Sequence, residues 1–136
     1  MVQIYLLVIL CNLFVGLILT KDFFNSKFEN FTLMNQLLSS EIMQVTVGCI
    51  STIVGLLALF LRYTGNLIVL GDLIPALSAI IAGMTLFVEY IAQEENNDSS
   101  FIKFFKKTFL KNRVIIGFIS ITVGIIHFVA PSIELL

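Results

Sequence analysis

Asp72 and His127 are the side chains best placed to do chemistry, with Glu89 third. Each lies in or beside a long apolar run, where an ionisable group costs about 2.5–3.5 kcal/mol on insertion scales and counts as a functional candidate by default. An aspartate against a histidine would hold the imidazole in its protonated form and make a proton-sensitive site. The simpler readings are preferred. Asp72 precedes an apolar run with Pro75 just inside it, the pattern of a helix N-cap. His127 sits four residues before Pro131, near a helix end from which an imidazole reaches water. Glu89 is expected to snorkel to the interface or to meet Lys or Arg from the adjoining loop. Asn12, mid-run, is expected to hydrogen-bond between helices.

Reactive constellations are missing from the sequence. It contains no CxxC, HExxH, phosphate-binding loop or dinucleotide fingerprint. No nucleophile–base–orienter set is visible, so the chain is not expected to be an enzyme, and no metal or cofactor is implied. Cys11 and Cys49 lie in apolar runs and read as small packing side chains, with a disulfide or a metal ligand as the lesser alternatives.

The elements that must position these residues follow from composition. Of 136 residues, 58% are hydrophobic and 12% charged, about half the ~25% charged content of soluble domains. Mean hydropathy is +1.02. Such a chain cannot cover its apolar surface with polar groups, but lipid tails would solvate it. Spanning the hydrocarbon core takes roughly 20 apolar residues as a helix, since backbone groups there must pair internally. Four stretches qualify, at about 2–20, 42–61, 72–92 and 114–130. The first lacks a basic leader and a small-residue cleavage site, so it reads as a retained helix. The expected fold is all-α, a four-helix transmembrane bundle in a single domain.

Loops 21–41 and 93–113 are long, and the connection at 62–71 is shorter, with Gly65, Asn66 and Gly71 as turn residues. The long loops hold seven of the eight Lys and Arg residues, against Arg62 opposite. This asymmetry places both loops in the cytoplasm and both termini outside, in a bacterial plasma membrane as the expected setting. Glycan on Asn30 or Asn97, each in an Asn-x-Ser/Thr triplet, would invert that orientation. Each long loop carries an amphipathic stretch. In residues 101–111 a helical wheel sets Phe101, Ile102, Phe104, Phe105 and Phe109 opposite Lys103, Lys106, Lys107 and Lys111. A helix of that kind lies in the membrane interface, and with Arg113 these lysines are the expected contacts to anionic lipid. Residues 28–38 form a weaker, near-neutral version.

Residues 45–57 (VTVGCISTIVGLL) align with 114–126 (VIIGFISITVGII) at an offset of 69, with six identities in thirteen. Gly48, Ser51 and Gly55 share one helix face, as do Gly117, Ser120 and Gly124. Ala76, Ala79 and Gly83 form a similar face. Small residues let membrane helices approach closely, so these faces are expected to point into the bundle. A fainter match at offset 67 pairs Leu10 with Leu77 and Gly16 with Gly83. A tandem repeat of a two-helix hairpin would give both matches. The expected role is a non-catalytic scaffold, assembly or accessory subunit, with the bilayer, a membrane protein or a second copy as partner and no nucleic acid. The alternative is a small-solute or ion transporter or channel using Asp72 and His127.

Overall fold

A computed structural model of the chain describes residues 2–60, 73–93 and 100–129. It is all-helical, with no strand among the described residues. The helices are α1 (Val2–Lys27), α2 (Thr32–Leu38), α3 (Glu41–Phe60), α4 (Leu73–Gln93), α5 (Ser100–Phe105) and α6 (Arg113–Val129). A 3-10 turn (Glu29–Phe31) precedes α2, and a π turn (Lys106–Leu110) follows α5.

The long helices match the apolar stretches within a residue at most ends, with one exception. Apolarity ends near Thr20, but α1 continues to Lys27, because a helix carries charged side chains well once it is nucleated. It stops where Phe28 turns extended, at φ −126° and ψ 112°. Residues 21–27 are therefore helical and not loop. Three helices, Gln3–Lys27, Glu41–Phe60 and Leu73–Ala92, are long and apolar enough to cross a membrane. With 17 residues, α6 is at the short end of the spanning range. Together with Ile102–Leu110, from which it bends by 63°, it makes a fourth candidate.

Helices α1 and α4 touch each other at the centre of the bundle. Each also packs against both α3 and α6, whereas α3 and α6 do not meet. The closest pairs are α3 with α4 and α1 with α6. Val15, Ile18, Leu19, Leu38, Ala82 and Leu86 form the main buried cluster, and Val8, Cys11 and Val54 a second. Both cysteines are free thiols.

Burial differs from that of a protein in water in how many large apolar side chains lie outside. Fully enclosed residues include Asn12, Ser51, Ala76, Ala79, Ala82, Thr85 and Ser120, while Phe60 is 80% and Ile42 79% exposed. Small and hydroxyl-bearing side chains line the helix contacts together with Ile9, Val15, Ile18, Leu19 and Leu86, while many other large apolar side chains face outward. This is the arrangement expected when helices associate by close packing in lipid, where burying a leucine gains little.

Candidate functional site

Glycines set the spacing of the two tight pairs. A Cβ on Gly83 would lie 2.7 Å from the carbonyl oxygen of Gly48, and one on Gly55 2.8 Å from that of Ala76, so α3 and α4 touch backbone to backbone. A Cβ on Gly16 would lie 2.8 Å from the Gly117 carbonyl oxygen, which is the same relation between α1 and α6. The small-residue face of α3 (Gly48, Ser51, Gly55) thus meets α4, and that of α6 (Gly117, Ser120, Gly124) meets α1. Neither meets the other.

This closeness brings hydroxyls within reach of the neighbouring backbone. The Ser51 hydroxyl donates to the Ala79 carbonyl at 2.8 Å, and that of Ser120 to the Asn12 carbonyl at 2.9 Å. Asn12 ties three helices together. Its Nδ2 donates to Val8 O in its own helix and to Pro75 O in α4, both at 3.0 Å, while its Oδ1 lies 3.0 Å from Ser120 Oγ and shares that hydroxyl's one proton with the Asn12 carbonyl. Thr20, Thr52, Thr85 and Thr122 bond the carbonyl four residues back in their own helices. That back-bonding satisfies a hydroxyl without a partner helix.

At the end of the bundle where α1 leaves its apolar run, Arg113 joins three helices. Its Nη1 donates to Glu89 Oε1 at 2.7 Å, its Nη2 lies 3.1 Å from Asp22 Oδ2, and its Nε donates to Leu19 O at 3.4 Å. Glu89 is 13% and Arg113 22% exposed at the side chain, against 63% for Asp22. Lys21 is buried alongside. Arg113 is the first residue of α6 and points inward, apart from the lysines with which its position in the sequence groups it. Breaking a buried pair of this kind by removing one member leaves the other charge uncompensated.

His127 is buried near the far end of α6, where its partner is Tyr5 of α1. The Tyr5 hydroxyl donates to the His127 carbonyl oxygen, and the two rings lie 4.5 Å apart at 47°. Asp72, the expected partner of His127, lies outside the described residues, as does Arg62. Tyr5 escapes a sequence reading because nothing in the chain order sets α1 beside α6. Lys103, Lys107 and Lys111 are exposed and Lys106 half-buried. Phe105 and Phe109 stack at 4.8 Å, whereas Phe104 is 62% exposed. An apolar groove of about 330 Å³ on α6 is lined by Ile115, Phe118, Ile119, Thr122 and Val123. Thr122 already donates to Phe118 O, so the groove offers apolar contact but few of the convergent polar groups a substrate site uses. No group of three or more His, Cys, Asp or Glu side chains among the described residues is arranged to hold a metal.

Residues 1–127 match the profile of a protein family whose function is unknown. The chain belongs to that family. No curated protein and no solved structure matches it.

Proposed function

We propose that this family member is a multi-pass membrane protein of four spans, built from a tandem repeat of helix–arm–helix units. In this reading its two long loops are cytoplasmic, its termini are outside, and it serves as a non-catalytic assembly or accessory component of a membrane complex. The observation that carries this is how the polar groups of the core are used. Asn12, Thr20, Ser51, Thr85 and Ser120 are enclosed, and each spends its hydrogen bonds on helix backbone or on another of these side chains. The bonds of Asn12, Ser51 and Ser120 that cross between helices hold them together at about 0.6–2 kcal/mol each, and Thr20 and Thr85 are satisfied within their own helices, so little is left to bind a solute. The glycine contacts close the same seams against water. The lysines at 103, 106, 107 and 111, beside the phenylalanines of the arm, suit the anionic phosphates of the cytoplasmic leaflet.

Two measurements test the reading. Gentle purification from the native membrane is expected to bring down a stoichiometric membrane-protein partner. Reconstituted liposomes are expected to show no solute or ion flux above protein-free controls. Flux lost on Asp72→Asn or His127→Ala would replace the assembly role with transport.

A further inference from the structure

The two tight helix pairs are the same contact made twice. Residues of α3 and α6 correspond at an offset of 69, and residues of α1 and α4 at 67. A Cβ on Gly48 would meet the Gly83 carbonyl oxygen at 3.0 Å and Leu86 Cβ at 3.2 Å. A Cβ on Gly117 would meet the Gly16 carbonyl oxygen at 3.0 Å and Leu19 Cβ at 2.9 Å, the positions the offsets assign. In the reverse direction, a Cβ on Gly83 would meet the Thr52 nitrogen at 3.0 Å, and one on Gly16 that of Ile121 at 3.1 Å. The serine bonds obey the same rule, since Ser51 maps to Ser120 and Ala79 to Asn12. Burial repeats as well: Val15, Ile18 and Leu19 are enclosed, and so are Ala82, Thr85 and Leu86. Two independent offsets that predict one another's partners do not arise from apolar composition alone.

We infer that the chain is a fused pseudo-dimer in which two copies of a helix–arm–helix unit exchange their second helices. The units are residues 2–60 and 73–129. The second helix of each packs most closely on the first helix of the other, about an approximate two-fold axis between α1 and α4. The partner that each unit's small-residue faces fit is therefore a second copy of the unit. Four of the positions where the copies differ put the polar or charged member on α1 or α6, Asn12 against Ala79, Lys21 against Val88, His127 against Ala58 and, in charge, Arg113 against Gln44, while Thr52 against Ile121 and Thr85 against Ile18 go the other way. The amide of Asn12 crosses from α1 to α4. Its image at position 79 would cross the other way, toward the carbonyl of Val8 and the hydroxyl of Ser51.

This inference rests on the repeat named above and on helix packing, and it does not depend on the assembly role. The test moves the amide to the other copy within the full-length protein. Asn12→Ala is expected to lower the midpoint of SDS-induced unfolding in mixed micelles. Adding Ala79→Asn to that variant is expected to recover most of the loss. A double variant no more stable than Asn12→Ala overturns the proposal. If the double variant does not accumulate, a circular permutant decides. It begins at residue 73 and joins residue 129 to residue 2 through a copy of residues 61–72. Exchange about a two-fold axis requires that permutant to insert and fold with a midpoint near that of the parent, and failure to fold overturns the inference. Detection of a partner or of flux bears on the proposed role and leaves this result untouched.

Discussion

Replacing Gly83 by alanine sets a methyl group 2.7 Å from the Gly48 carbonyl oxygen and 3.0 Å from the Thr52 nitrogen. Both are backbone atoms of α3, so no side-chain rotation relieves the contact. Ordinary carbon–oxygen contact needs about 3.3 Å, so the helices must separate by roughly 0.6 Å. The Ser51–Ala79 bond, 2.8 Å long, would stretch to about 3.4 Å, past good hydrogen-bond geometry. Overpacking of this kind costs about 1–3 kcal/mol. Against it stands the higher helix propensity of alanine, worth up to ~1 kcal/mol. The net expectation is a loss of about 1–2 kcal/mol, or a 5- to 30-fold fall in the folded-to-unfolded ratio. Gly124→Ala is the matched control. Its new methyl would meet Leu13 Cδ2 at 3.2 Å, the far end of a side chain that can rotate away, and Asn12 Cβ at 3.3 Å, close to ordinary contact, with no backbone atom nearer. Its effect should stay within about 0.5 kcal/mol. Helicity followed by circular dichroism through an SDS titration gives the midpoints. The alkylation rate of half-buried Cys49, one residue from Gly48, gives a second readout on α3. Equal losses for the two variants, or a stabilised Gly83→Ala, would refute the backbone-contact argument.

Other expectations concern the polar groups. Arg113→Gln and Glu89→Gln should each destabilise the protein. Their double-mutant cycle should give a coupling of about 1–3 kcal/mol, and additive losses would mean the 2.7 Å pair contributes nothing. Tyr5→Phe keeps the ring against His127 but removes the donor to its carbonyl, so a loss of about 1 kcal/mol is expected in the same titration. Changing Lys106, Lys107 and Lys111 together to Gln should abolish preferential retention of anionic over zwitterionic phospholipid in native mass spectra. Each lysine near the surface is worth about 1 kcal/mol, and unchanged retention would remove the arm as the lipid contact.

Local chemistry is the part of this protein that can be read from the chain. Each long helix, except for the charged end of α1, coincides with an apolar run, because hydrophobicity and internal backbone pairing are decided within a segment. The small-residue faces are legible for the same reason, since spacings of three and four fix which side chains share a face. The ion pair of Glu89 was legible only in kind. That a lysine or arginine would reach it follows from charge. That the cation is Arg113, shared with Asp22 of α1, needed three helices in place.

The choice of neighbours for α1 belonged to the tertiary structure alone. In the lipid setting proposed above, apolar faces have no hydrophobic ranking among themselves, so although the short connection at 62–71 favours α4 beside α3, nothing in the sequence prefers α6 over α3 as the tightest neighbour of α1. That choice falls to shape, as glycine grooves, serine hydroxyls and the Asn12 amide find backbone at the right depth on α1 or α4. Tyr5 lies beside His127 for the same reason. A sequence specifies what each helix offers, and van der Waals fit, which is summed over a whole interface, determines which helix accepts it.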